Sequence, residues 1–387
     1  MSVGNQVEKP RFFIDLLQYQ YEIGNVAVSA RYWGADPLEQ NPHIISLNPS
    51  RSYDMSSSTS SSTNFKVGFK HPISVPENSK MFVAILGHDF SSNITRGRVL
   101  EHQGDGYHDL GTSGDGNLGT ATPSCTPLVN GGSGGVYWSP EYDGWSLLEF
   151  TPNITDSISA YHITVNAGVS GQTVSGKIGG FAIGFIYEPE FHADLAVTQS
   201  RIMDGVKNKN TKGGSTYSVI NYTKPANWWT GSPFELTHPD NISSPTAFSN
   251  ARLGRRSWDV GFSQLTDRFY TDGVPNGVFP ANEMVNKYDG DIANGGYLND
   301  QDIDATPNAD GSIPSTGQFN YNINNDNSLY STVYHHTLGG TLPFLFSPSQ
   351  DNSPQNFAIC RFDKPGFKVT QKSYKKFNIK MKINESW

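Results

Sequence analysis

Short runs of alternating apolar and polar residues constrain the fold of this chain more than any other feature. In residues 377–383, Phe377, Ile379, Met381 and Ile383 occupy alternate positions, with polar residues between them. Because successive side chains of a strand point to opposite faces, this alternation predicts a β-strand with one apolar face. Similar alternation occurs in residues 161–165, 181–187 and 258–262, and residues 82–86 form a short apolar run.

The connections between these runs are rich in residues that favour turns. The 387 residues include 39 Gly and 23 Pro, and residues 104–135 consist largely of Gly, Ser and Thr. Such composition is typical of short strands joined by long loops. The sequence therefore predicts an all-β fold, in which a jelly-roll or β-sandwich module is combined with a second β-rich domain and long Gly-, Pro- and Asn-rich loops.

A chain of this length is expected to form two or three domains. We interpret residues 1–71 as an N-terminal β element or arm, with residues 11–24 as a strand or extended segment. Residues 72–190 are expected to form the jelly-roll-like sandwich. Residues 191–387 are expected to form a β-rich assembly domain with a long loop excursion at about 270–340.

The charge of the chain is unevenly distributed. Its formal net charge is −8, yet residues 361–383 contain eight Lys or Arg and one acid, so the remainder carries 20 − 35 = −15. An acidic body argues against nucleic acid as a partner. We interpret the lysines that alternate with apolar residues in 377–383 as protection of an edge strand against unwanted pairing.

Several features bear on where the protein resides. No apolar run approaches the ~20 residues of a membrane helix, so no membrane insertion is expected. The first eleven residues lack the apolar core of a signal peptide, which predicts synthesis in a cytoplasm or prior removal of the signal. Cys125 and Cys360 are expected to be reduced thiols; a single long-range disulfide is the alternative.

Two motifs resemble catalytic or metal sites but lack the context that such sites need. Ser133 lies in a G-x-S-x-G match, but the surrounding Gly-rich run predicts a loop and no nucleophile elbow. Asp300, Asp302 and Asp304 begin like a calcium loop, after which the turn glycine and the bidentate glutamate are missing. A solvated acidic turn is the preferred interpretation, and a calcium site is the alternative.

The histidines and paired acids give no complete catalytic or metal set. His88 at a predicted strand end is interpreted as a hydrogen-bonded turn residue, and His335-His336 lack the spacing of zinc ligands. Glu141 and Asp143 cannot be assigned as a glycosidase pair from sequence alone. We therefore predict no enzymatic activity and no cofactor.

Aromatic residues in loops are the best candidates for a binding surface. Aromatic side chains can stack on sugars or anchor a protein interface. Trp145 precedes Leu147-Leu148 and is expected in the core. The candidate ligand or interface aromatics are Tyr137, Trp138, Trp228 and Trp229.

Five sequence blocks are spread along the chain: RFFIDLLQYQ (11–20), FVAILGHD (82–89), RRSWDVGF (255–262), FAICRF (357–362) and FNIKMKINESW (377–387). Together these blocks resemble virion structural proteins of tailed bacteriophages, particularly marine ones. The resemblance implies a non-enzymatic tail-tip or baseplate component, located in the virion, that assembles as a homo-oligomer and links to neighbouring virion proteins. The alternatives are a carbohydrate-binding adhesin that recognises a host surface glycan, a head decoration protein, and a polysaccharide hydrolase.

Overall fold

The computed structural model describes the following residues: 9–27, 42–45, 47, 53–54, 62–73, 75, 79–90, 96–103, 106–109, 126–130, 138, 140–152, 158–166, 177–189, 192–195, 197–202, 206–220, 255–266, 329–366, 368–373 and 376–386. Most of them lie in strands, so the all-β prediction is confirmed. The jelly-roll arrangement stays a prediction.

The described residues form twenty strands and a few short helices. The strands are β1 Arg11–Asp15, β2 Val26–Ala27, β3 Tyr53–Asp54, β4 Ser62–Ile73, β5 Met81–His88, β6 Arg96–Gln103, β7 Gly106–Asp109, β8 Thr126–Val129, β9 Gly144–Phe150, β10 Ile158–Asn166, β11 Lys177–Ile178, β12 Gly180–Tyr187, β13 Thr198–Ile202, β14 Val206–Asn210, β15 Thr216–Ile220, β16 Arg255–Thr266, β17 Phe344–Ser347, β18 Ala358–Phe362, β19 Val369–Ser373 and β20 Lys376–Glu385. The helices are α1 Leu16–Glu22, the 3₁₀ helices Pro42–Ile45 and Pro354–Asn356, and the π-helix Tyr330–His335. None of the helices in the described ranges is long and apolar enough to cross a membrane.

One large antiparallel sheet organises the molecule. Its eleven strands run in the order β13-β16-β20-β18-β17-β1-β12-β5-β9-β8, with β19 added beside β20. A second sheet has the order β2-β4-β10-β6-β7, and the pairs β3–β11 and β14–β15 form separate ribbons. All three predicted sequence ranges contribute strands to the large sheet, while the proposed boundaries between them stay predictions.

The two larger sheets share an apolar core. Val83 of β5 and Ile183 of β12 belong to the same buried cluster as Val67 of β4 and Ile163 of β10. Phe69 and Tyr161 meet edge to face within this cluster, with ring centroids 6.0 Å apart. Burial of these aliphatic and aromatic side chains is the main favourable contribution to the packing of the two sheets.

The central strands of the large sheet are buried on both faces. All eight residues of β12 and all five of β1 are buried. Phe12 and Phe13 illustrate this, because they are neighbours on β1 yet belong to two different buried clusters. Strands buried on both faces are rich in apolar residues at every position, as GFAIGFIY in β12 shows.

The N-terminal segment is a central part of the fold. The predicted strand is confirmed for Arg11–Asp15, whereas Leu16–Glu22 form helix α1, so the prediction of a strand or extended segment is wrong for that part of residues 11–24. β1 pairs with β12 on one side and β17 on the other, and α1 begins directly after it. Asp15 ends the strand and caps the helix, since its Oδ1 accepts hydrogen bonds from the backbone N–H groups of Leu17 and Gln18 at 2.9 and 3.2 Å.

The last strand is also interior, which corrects its interpretation as an edge strand. β20 pairs with β16 along one side and with β18 and β19 along the other. Lys380 and Lys382 are exposed on its polar face, as the alternation predicts. Among the described strands, β13, β8 and β19 are the ones at the margins of the large sheet.

Candidate functional site

Trp138 is buried, so its prediction as a surface aromatic is wrong. Only 3% of the residue is exposed. Its ring meets the rings of His88 and Phe90 at centroid distances of 5.4 and 5.3 Å, both edge to face. A buried ring presents no face to a sugar or a partner. Tyr137, Trp228 and Trp229 lie outside the described residues.

Trp145 lies in the core, as predicted. It is fully buried on β9 and packs against Phe357 with ring centroids 5.5 Å apart. Trp138 and Trp145 therefore both stabilise the fold by burial of apolar area.

His88 is hydrogen-bonded, as predicted, but it is the last residue of β5 and does not lie in a turn. Its Nε2 lies 2.9 Å from Ser146 Oγ, and that hydroxyl donates to the carbonyl oxygen of Asn130 at 2.8 Å. Since the Ser146 proton is used in this way, Nε2 of His88 is the donor of the first hydrogen bond. Burial lowers the pKa of His88 to about 3, partly opposed by a hydrogen bond to the Trp145 backbone, so the ring is neutral near pH 7.

Asn130 organises the loop that holds this histidine network. It has a positive φ of 48°, a conformation that asparagine tolerates better than most residues. Its Nδ2 donates to the carbonyl oxygens of Tyr142 and Trp145 at 2.8 and 3.0 Å, and its Oδ1 accepts from the backbone N–H of Glu141 at 2.8 Å. These contacts connect the end of β8 to the start of β9 and indicate a structural role.

His335 and His336 lie at the junction of the π-helix with α1 and β12. The hydroxyl of Tyr19 lies 2.8 Å from Nε2 of His335, and the Tyr19 ring meets the His336 ring at a centroid distance of 4.8 Å. Nδ1 of His336 donates to the carbonyl oxygen of Ser331 at 2.5 Å. Burial, with a smaller effect of His335, lowers the pKa of His336 to about 4. This neutral, packed pair connects three elements of the core.

A buried ion pair joins β16 to β20 beside the Cys360 thiol. Arg256 Nε donates to Glu385 Oε1 at 2.6 Å, and the Arg256 backbone N–H donates to Oε2 at 2.5 Å. The guanidinium also donates to the carbonyl oxygen of Phe357 at 2.9 Å and lies 5.1 Å from the Trp258 ring centroid. Together these contacts compensate the two buried charges, of Glu385 and Arg256, for their loss of water.

Cys360 is a buried free thiol, in agreement with the prediction for this cysteine. Burial raises the pKa of its thiol well above the usual range, and the charge of Glu385 raises it further. The thiolate is the nucleophilic and metal-binding form, so this environment makes Cys360 unreactive. Cys125 lies outside the described residues.

The remaining motifs give no additional site in the described part of the chain. Ser133 and the aspartates Asp300, Asp302 and Asp304 lie outside it, so the calcium alternative stays a prediction. Within the described ranges, no three His, Cys, Asp or Glu residues are placed to hold a metal ion.

Exposed residues of the described structure are grouped at residue 195, residues 198–201 and residues 208–218. Leu195 is 87% exposed, and Thr198 to Arg201 of β13 are all exposed along the margin of the large sheet. The chain then forms the ribbon β14–β15, whose described side chains are also exposed. We call residues 206–220 the hairpin. In the sequence, the hairpin is marked by two five-residue segments around the Gly-containing turn TKGGS, and these segments lack the apolar alternation of a core strand.

Comparison with known proteins gives no relative: no protein-family model matches the chain, and neither a curated protein nor a solved structure matches it. The resemblance to phage virion proteins therefore stays a prediction, and the function is argued from the geometry.

Proposed function

We propose that this chain is a non-enzymatic structural protein of a tailed-phage virion, a tail-tip or baseplate component that assembles as a homo-oligomer. The observation that carries this proposal is the exposed margin β13 of a sheet whose centre is buried on both faces, followed in the chain by the exposed hairpin. The blocks that resemble virion proteins supply the biological setting.

The buried centre of the sheet suits a structural role. β1, β12 and β17 are buried at every position, so their side chains are held by packing on both faces. The Arg256–Glu385 ion pair adds a directional contact between β16 and β20. β16 is the strand that pairs with β13, so the exposed margin is attached to a firmly packed platform.

The exposed margin suits assembly. A strand at the margin of a sheet has backbone N–H and C=O groups that can pair with another chain. In the described structure, β13 pairs with β16 alone, and Thr198 to Arg201 are exposed. The exposed hairpin begins three residues after β13 ends.

Electron microscopy and mass photometry of the purified full chain test the assembly part of the proposal. We expect discrete ring-like or other closed oligomers that persist on dilution, because a closed homo-oligomer satisfies each copy's interface. A monomer at every concentration would refute this part.

Mass spectrometry of purified virions from the phage that encodes the chain tests its location. We expect the protein at a fixed copy number per particle. Its absence from intact particles, with abundance in the lysate, would contradict a virion role.

A further inference from the structure

The hairpin is a regular ribbon with two chemically different faces. Its five residue pairs run from Val206 opposite Ile220 to Asn210 opposite Thr216. On one face, Ser218 Oγ donates to Asn208 Oδ1 at 2.5 Å and Thr216 Oγ1 donates to Asn210 Oδ1 at 2.7 Å. These cross-strand contacts use the polar groups of that face within the ribbon.

The other face of the hairpin is cationic and aromatic. Lys209 and Tyr217 lie directly opposite each other in the register, and both are exposed, Tyr217 by 51%. Lys212 is exposed in the turn. The turn itself is well defined, with a hydrogen bond of 2.8 Å from the Thr211 backbone N–H to the Ser215 carbonyl oxygen. A defined turn holds this face in one geometry.

Such a ribbon gains little stability by itself. A two-stranded hairpin is marginally stable in water unless it packs against something else. Every described side chain of residues 208–218 is exposed, so these residues bury little apolar area. Tyrosine is enriched in protein interfaces whereas lysine is depleted there, so Tyr217 is the candidate anchor and the lysines contribute by their charge.

The charge of the hairpin indicates the chemistry of its partner. Residues 206–220 contain three lysines and no acid, a charge of +3. The whole chain carries −8, so the other residues together carry −8 − 3 = −11. A copy of this chain is therefore an acidic partner that is always present at the same concentration as the hairpin.

We propose that the face of the hairpin formed by Lys209 and Tyr217, with Lys212 at its tip, docks on an acidic surface of a second copy of this chain. This inference rests on the proposed function and specifies the contact by which the homo-oligomer forms. Complementary charge steers the hairpin to the neighbouring copy, and burial of the Tyr217 ring stabilises the contact. Nucleic acid is the rival partner for a lysine ribbon, but the acidic remainder of the chain opposes it.

The first test is charge reversal in the hairpin with a matched control. The double variant Lys209→Glu/Lys212→Glu is expected to raise the dissociation constant of the oligomer by about tenfold or more. The double variant Lys364→Glu/Lys368→Glu makes the same change of net charge at two exposed lysines between β18 and β19. It is expected to leave the dissociation constant within about threefold of that of the wild type, as a charge change outside the interface should. Circular dichroism melting checks that both variants fold.

The second test locates the contact directly. Copies labelled with ¹⁵N are mixed with unlabelled copies, exchanged, and treated with a carbodiimide, which joins lysine amines to nearby carboxylates. We expect mixed-isotope cross-links from Lys209 or Lys212 to Asp or Glu residues, and we expect Tyr217→Ala to reduce their yield.

The outcomes separate this inference from the proposed function. The hairpin contact is overturned if the wild type is oligomeric and both double variants stay oligomeric, or if both variants dissociate to the same extent. The assembly role stands in either case. A wild-type monomer overturns both. Binding of the hairpin to RNA or DNA at physiological salt, with loss of that binding in Lys209→Glu/Lys212→Glu and no change in oligomeric state, also overturns the inference.

Discussion

Asp15 offers the sharpest test of how the centre of the fold is built. Its carboxyl is buried at the junction of β1 and α1, where Oδ1 caps the helix. Oδ2 accepts no hydrogen bond from the described residues. Burial raises the pKa of Asp15 to about 8 from the ordinary 3.8, although the two backbone hydrogen bonds act in the opposite direction. The folded protein therefore favours the neutral carboxyl.

Proton linkage gives the sign and size of the effect of Asp15 on the free energy of unfolding. Between pH 3.8 and about 8 the folded chain holds a proton on Asp15 that the unfolded chain has lost. The stabilisation is complete below pH 3.8 and is lost as the pH rises through about 8. The slope is about 1.4 kcal/mol per pH unit, so the stability lost between pH 5 and pH 7 is about 3 kcal/mol.

The variant Asp15→Asn isolates the contribution of Asp15 ionisation to the free energy of unfolding. Its amide has the shape of the neutral acid, keeps the Oδ1 acceptor and cannot ionise. His88 and His336, whose lowered pKa values give the opposite slope below pH 6.5, are present in both proteins and cancel in the comparison. We expect the free energy of unfolding by urea, variant minus wild type, to rise by about 3 kcal/mol from pH 5 to pH 7. A difference that does not change with pH would refute the argument.

Two further variants test close contacts in the same core. Gly184→Ala is expected to cost about 3 kcal/mol or more in urea unfolding, because its Cβ would lie 1.7 Å from the carbonyl oxygen of Ile14. Gly213→Ala in the open hairpin turn is the control, and equal stability of the two variants would contradict the close approach of β1 to β12. Glu385→Gln is expected to cost about 3–5 kcal/mol in the same assay, because it leaves the buried charge of Arg256 uncompensated. The half-exposed surface pair Lys80–Glu188 gives the control, since Glu188→Gln should change stability by less than about 1 kcal/mol. A similarly small effect of Glu385→Gln would show that the buried pair is not needed for stability.

The alternating segments were the reliable part of the sequence analysis. Residues 181–187 and 258–262 lie within β12 and β16, and residues 377–383 lie within β20. The pattern predicted which side chains of β20 face the core, yet it led to the wrong inference that β20 is an edge strand. The faces of a strand and its hydrogen-bonding edges are independent, so exposed Lys380 and Lys382 are compatible with neighbours on both sides.

The segment at residues 11–24 shows a second limit. Its apolar residues show no clear period, because β1 is buried on both faces and α1 follows it without a loop. Asp15 was the available signal, since aspartate before an apolar segment is a common helix N-cap.

The candidate site was harder to predict than the fold. Trp138 resembles a surface aromatic in sequence because its neighbours are Gly, Ser and Pro, whereas its burial depends on His88 and Phe90 from a distant segment. The hairpin went unnoticed for the opposite reason, because its polar strands lack the apolar alternation that marks a strand on a core.

A cryo-EM reconstruction of the purified wild-type chain tests the central claim most directly. The account predicts a closed homo-oligomer in which residues 206–220 of each copy contact an acidic surface of the next copy. A reconstruction of isolated monomers, or of rings in which those residues project into solvent, would contradict it.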